Sequence, residues 1–201
     1  MTKRQQRGWL LVLLGLSMVL ASLLMHTAHQ RQDDMAGENA EVLLQQLQLS
    51  QMSLATESET DAPRGPALMP EKDYLGYSMI GTLRIPDLAM ELPILSSWSY
   101  DLLELAPCRF SGSLPGGDMI LMGHNYKSHF TPLHRISPGT GVEFEDVNGV
   151  VTRFTVVQTE ILHKNQIDRL YSEHPLSLFT CTASGSNRFV VRCAEANGSG
   201  L

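Results

Sequence analysis

The chain has 201 residues, of which 43% are hydrophobic and 18% charged, enough apolar material for one buried domain with accessory segments and too much for a disordered chain. A net charge of −6, with no basic stripe interleaved with aromatics, argues against nucleic acid as a partner. Three cysteines, Cys108, Cys181 and Cys193, form neither an even disulfide framework nor a C-x-x-C pair, which argues against a structural zinc site or a thioredoxin-like redox motif.

Residues 1–7 (MTKRQQR) carry three positive charges and no negative one. Residues 8–25 (GWLLVLLGLSMVLASLLM) contain no ionisable group. At ~1.5 Å per residue this run just crosses a hydrocarbon core of ~30 Å. Trp9 would sit at the interface, with Lys3, Arg4 and Arg7 on the cytoplasmic side. The alternative, a cleaved secretory peptide, needs a small-x-small cleavage site, and His26 stands two positions before Ala28. The expected organisation is a cytoplasmic N-terminus over 1–7, a transmembrane signal anchor over 8–25, a juxtamembrane helix and linker over 26–73, and an extracytoplasmic domain over 74–201.

The juxtamembrane helix is expected over Glu38–Met52, where Val42, Leu43, Leu47 and Leu49 loosely fit helical spacing. Ser53–Pro70 is rich in Ser, Thr, Glu and Pro and reads as a linker. Beyond Tyr74, short runs of β-type residues alternate with turns. Strands are expected over Met79–Ile85, Met90–Leu95, Asp118–Gly123, Val142–Glu145, Val150–Leu162, Leu176–Thr182 and Arg188–Glu195. Turns are marked by Pro86-Asp87, Gly116-Gly117 and Asn148-Gly149, and Ser99–Leu105 has a helical composition. Roughly eight short strands and little helix indicate an all-β, closed or nearly closed barrel.

Cys181 lies near the end of an apolar strand, before the loop ASGSN, where a substrate can reach a thiol. His124 likewise sits where the buried run DMILMG meets a polar loop, and imidazole can take a thiol proton and return one to a leaving amine. Arg188 opens the strand after the Cys181 loop, and a guanidinium offers fixed donors to a developing oxyanion. Arg192, four residues on, falls on the same strand face and is the rival candidate. His129 and His134 follow His124 at intervals of five without carboxylates at ligand spacing, so no metal site is expected.

The G-H-N context of His124, the L-F-T-C-T context of Cys181, the R-F-V-V-R strand from Arg188, and the stretches IGTLRIP and PILSSWSY together resemble the sortase family. The resemblance covers about Tyr74 to Glu195. It implies an eight-stranded sortase barrel and a cysteine transpeptidase with Cys181 as nucleophile, His124 as acid–base partner and Arg188 as the oxyanion-side cation. Thr180, Thr182 and Arg192 would give substrate or oxyanion support. Its implied partners are secreted proteins bearing an LPxTG-like sorting signal and a peptidoglycan or pilin amine acceptor, with no cofactor. The segments APCRFSGS and GHNYKSHFTPL resemble the class B branch, although His163–Pro175 is short for the helix that branch inserts. Cys108 and Cys193 are expected as free buried thiols. Two rivals differ in observable ways: a papain-like hydrolase carries its Cys on a helix before its His, and a non-enzymatic anchored module forms no acyl-enzyme.

Overall fold

The computed structural model describes residues 3–54 and 69–196. The chain divides into two compact units, Met1–Met35 and Ala36–Leu201. A single helix, α1, runs over Lys3–Leu54 and takes in both the expected anchor and the expected juxtamembrane helix. No proline interrupts it, and the one glycine of its second half, Gly37, costs only about 1 kcal/mol against a background of good helix formers. In the first unit Leu13, Leu14, Leu23 and Leu24 are exposed. Among the described residues no helix is long and apolar enough to cross a membrane. Side chains 1–12, which include the start of the expected anchor, and residues 55–68 of the expected Ser53–Pro70 linker lie outside the described residues.

In the second unit Ala36, Ala40, Leu43 and Leu47 recur at helical spacing and are buried. Ala40 joins the main core, and Leu43 and Leu47 pack with Met79, Leu95, Leu103 and Cys108. Val42 and Leu49, expected on the same stripe, are exposed instead. They sit off the face that Ala36 and Ala40 extend.

Among the described residues this unit also holds nine strands: β1 (Lys72–Tyr74), β2 (Tyr77–Ile85), β3 (Met90–Leu95), β4 (Cys108–Ser111), β5 (Met119–Met122), β6 (Gly141–Asp146), β7 (Val151–His163), β8 (Leu176–Cys181) and β9 (Asn187–Glu195). Their order is β1-β2-β3-β4-β5-β8-β9-β7-β6, and β6 pairs back onto β2. Strands β2 to β9 thus close an eight-stranded barrel, and β1 is an edge strand on β2. Closure leaves the ring no free edge. A short helix, α2 (Tyr100–Leu105), follows β3, with the Ser99 hydroxyl accepting from Leu102 N at 3.1 Å as its N-cap.

Turn chemistry follows the sequence where the backbone demands it. Gly149 closes the β6–β7 hairpin at φ +83°, and the Asp146 carboxylate accepts from Asn148 N and Val150 N. The two-residue side-chain period separates two cores. Met119, Leu121, Leu176, Leu178, Val191 and Cys193 face the barrel interior. Ile120, Phe179 and Val190 face outward and are covered by Leu162 and Leu170. Strands β5 and β8 are therefore buried on both sides, which explains their nearly unbroken apolar runs.

Candidate active site

Three neighbouring strands bring the candidate residues to one end of the barrel. β5 and β8 run parallel, with Met122 level with Phe179, and Gly123 N donates to Phe179 O at 3.2 Å. Continuing that register by two residues sets His124 level with Cys181. β8 and β9 are antiparallel, and Cys181 is the direct partner of Arg188. Cys181 shares the outward face of β8 with Phe179.

His124, Cys181, Arg188 and Thr180 all line one cavity of about 190 Å³. Its lining is mostly apolar and includes Trp98, Leu103, Phe110, Leu162, Leu170 and Phe179. Trp98 lies 5.8 Å from Phe110, which meets Phe179 edge-on at 5.3 Å. Phe110 is the bulged residue between Arg109 and Ser111, where the β4–β5 register shifts.

Local packing explains how His124 is held. A Cβ on Gly123 would stand 2.6 Å from Cγ of Phe130, so glycine lets that ring lie against the backbone beside the histidine. The His124 ring stacks at 4.6 Å on Tyr126, and its carbonyl accepts from Phe130 N at 3.1 Å. Burial lowers the His124 pKa below its ordinary value of 6.5, and the negative charge of Glu104 on α2 opposes that shift. The half-buried Cys181 is open to the cavity, whereas Cys108 and Cys193 are fully buried free thiols, both pushed up to about 12 by desolvation.

Arg188 Nη1 donates to Gly185 O at 3.1 Å and Asn187 O at 3.2 Å. Those two bonds tie the guanidinium to carbonyls of the β8–β9 turn.

The structure does not bring every expected residue to the cavity. Arg192 does lie on the outward face of β9, but it pairs with Ser177, four registers from Arg188 and so ~13 Å along the strand. It is 2% exposed, and its guanidinium is taken up by Glu160, Ser172, Ser177 and the carbonyls of Arg169 and Leu170. Thr182 is not among the cavity's lining residues, and its amide donates to Asn187 O at 3.0 Å, closing the β8–β9 turn. Thr180 does line the cavity, but its side chain falls on the opposite face of β8 from Cys181, with Oγ1 buried and without a hydrogen-bond partner among the described residues. His129 is buried, and the ring of His134 rests 4.7 Å from that of Phe189. Among the described residues no three His, Cys, Asp or Glu side chains converge to hold a metal.

The groove walls Phe110, Leu162, Ile167 and Leu170 were not expected as functional residues. Leu162 ends an expected strand, Leu170 carries no local signal, and β4 is too short to announce Phe110. The papain-like arrangement fails on geometry, because Cys181 ends a strand.

A family model, the sortase domain, matches residues 83–196, more than half of the chain. Among solved structures, sortase C from Clostridium perfringens SM101 is 20% identical with a TM-score of 0.54, over 80% of this chain and 90% of that one. Streptococcus agalactiae sortase C1 in complex with MTSET is 23% identical with a TM-score of 0.53, over 60% and 69%. A pilus-related sortase C of Group B Streptococcus is 24% identical with a TM-score of 0.53, over 61% and 69%. No curated protein sequence matches the chain. The class B likeness is not what these matches support: they are sortase C structures, and the β7–β8 connection holds only a four-residue 3-10 turn, Ile167–Leu170, where a long helix would mark class B. The matched domain spans the barrel from β2 to β9, and the chain belongs to the sortase family of cysteine transpeptidases.

Proposed function

We propose that this protein is a membrane-anchored, pilin-type sortase that cleaves a C-terminal sorting signal and joins the shortened protein to a second amine. One observation carries this reading: Cys181, His124 and Arg188 end three adjacent strands and open onto the same apolar cavity. The apolar walls suit the Leu-Pro portion of an LPxTG-like peptide, and the polar end suits the scissile amide.

The Cys181 sulfur, its proton passed to His124, adds to the scissile carbonyl carbon. Charge develops on the carbonyl oxygen, and the Arg188 guanidinium donates to it. The C–N bond breaks, His124 protonates the departing amine, and a thioester remains. An incoming amine, from a cell-wall peptide or a pilin lysine, then attacks the thioester. It loses a proton to His124, and the sulfur leaves. Two easier acyl transfers replace one hard one.

The pilin-type reading rests on the sortase C matches, one of them a pilus-related sortase C, and on the short β7–β8 connection. Anchoring rests on the uncharged run 8–25 preceded by basic residues, which leaves the barrel outside the membrane. The test is release of amine from a fluorogenic sorting-signal peptide. Cys181→Ala is expected to abolish it, and His124→Ala to do nearly the same with an unchanged circular dichroism spectrum. Turnover retained by Cys181→Ala would remove the nucleophile.

A further inference from the structure

We propose that Arg192 is a positioning residue that holds one wall of the substrate groove, so that it governs how tightly the sorting peptide binds and not how fast its carbonyl is attacked. This rests on the groove around Cys181 being the peptide site.

The wall in question is the β7–β8 connection, residues 164–175, which contributes Gln166, Ile167 and Leu170 to the cavity. It has little apolar substance to hold it down. Leu170 is its one fully buried residue, while Lys164–Arg169 and Tyr171–Glu173 are exposed. Its structure is the 3-10 turn Ile167–Leu170, and such a turn ends in carbonyls that need donors from elsewhere.

Arg192 supplies them. Its Nη1 donates to Leu170 O at 2.6 Å and Nη2 to Arg169 O, the last two carbonyls of the turn. Nη1 also reaches Ser177 Oγ on β8 at 2.9 Å and Ser172 Oγ at 3.2 Å. Nε donates to Glu160 Oε1 on β7 at 3.0 Å, and the other oxygen of that carboxylate accepts from Arg169 Nη2 at 3.2 Å. One planar fork thus ties β7, β8 and β9 to the connection. A buried guanidinium is costly unless every donor is used, and here each nitrogen has an acceptor. Ile167 and Leu170, on the carbonyl-held turn, are the residues that face the groove. Arg192 itself stands four registers from Arg188, too far to touch the reacting carbon.

The full-length protein is compared with Arg192→Lys, Arg192→Met and Glu160→Gln, using the fluorogenic LPxTG-type peptide and limited trypsin digestion. Arg192→Met is expected to raise KM about tenfold with kcat within about twofold. It is also expected to speed cleavage after Lys164 and Arg169 by about tenfold, because opening of the connection limits access. Arg192→Lys should fall between, since an ammonium lacks the fork. Glu160→Gln should move both readouts the same way by less, and it decides the matter if Arg192→Met does not fold. A fall in kcat at constant KM, or trypsin resistance unchanged in these variants, overturns the proposal. If the unaltered protein does not turn the peptide over, the functional reading fails, and the trypsin comparison still decides whether Arg192 holds the connection.

Discussion

Cys181 and Arg188 are direct register partners on β8 and β9, so the proposed nucleophile and the proposed oxyanion-side cation stand one ladder step apart. Opposed residues of an antiparallel pair carry their Cβ atoms ~4.5–5.5 Å apart on the same face. The pairing is set by the hairpin turn over 182–186, in which Thr182 N donates to Asn187 O and Gly185 takes φ +68°. A turn, and not the cavity, decides where the charge sits.

Because the partnership is fixed by register, removing the guanidinium should harm chemistry more than folding. Arg188→Ala is expected to lower the acylation rate by ~10²–10³-fold, the usual cost of losing one oxyanion donor. Arg188→Lys should recover only part, having lost the fork. Single-turnover kinetics of thioester formation checks this. Arg192→Ala affecting acylation more than Arg188→Ala would reverse the assignment.

His124 carries a pH signature. Burial depresses its pKa below 6.5, and Glu104 works against that depression. As pH falls below 6.5 the unfolded chain takes up this proton before the folded one does, so stability is lost as pH drops through the depressed folded value. Glu104→Gln removes the charge that favours the imidazolium and should lower the His124 pKa further. Titration of the ring protons by NMR should show a midpoint below 6.5 in the parent protein and a lower one in the variant. A midpoint unmoved by Glu104→Gln would uncouple the two groups.

Much of the candidate site is legible in the chain because its residues stand at strand ends. Cys181, His124 and Arg188 each stand where an apolar run meets a loop, and strand period and turn residues locate such junctions without coordinates. Arg192 marks the boundary of that method. Alternation correctly puts it on the face of Arg188, but only the β8–β9 register reveals Ser177, and not Cys181, as its partner. The groove walls are hidden for a similar reason. Leu162 and Leu170 become a pocket only when a connection folds back over β8 and β9, and that long-range contact leaves no local period. The short strand β4 carries too few residues to show alternation, which hides the bulged Phe110 as well.

The three thiols should separate cleanly by reactivity. Cys181 opens onto the groove, while Cys108 and Cys193 are buried and pushed up to about 12, so they present almost no thiolate near neutral pH. Native protein treated with a methanethiosulfonate reagent at pH 7.5 should gain one adduct by intact mass, and Cys181→Ala none. Two or more adducts on the native fold would contradict the burial of the other pair.

The helix α1 supplies the last expectation. Leu47 is fully buried against Leu95, Leu103 and Cys108, and Leu103 also lines the groove. Gly37, ten residues earlier, lies against Ser128, where an added Cβ would come to 3.1 Å from the serine Cβ. Ser128 belongs to the loop that runs from His124 to the 3-10 turn Thr131–Arg135. One stretch of helix therefore braces both the α2 wall and the histidine loop. Leu47→Ala should cost about 2–5 kcal/mol, cavity included. At ~2–4 °C per kcal/mol for a domain of this size, that lowers the melting temperature by roughly 4–20 °C. Gly37→Val drives branched methyls into Ser128, so it should lower both the melting temperature and kcat by displacing the loop that carries His124. Thermal denaturation and peptide turnover measured on the same samples check the pair. Wild-type melting in both variants would mean that the helix does not brace the barrel at all.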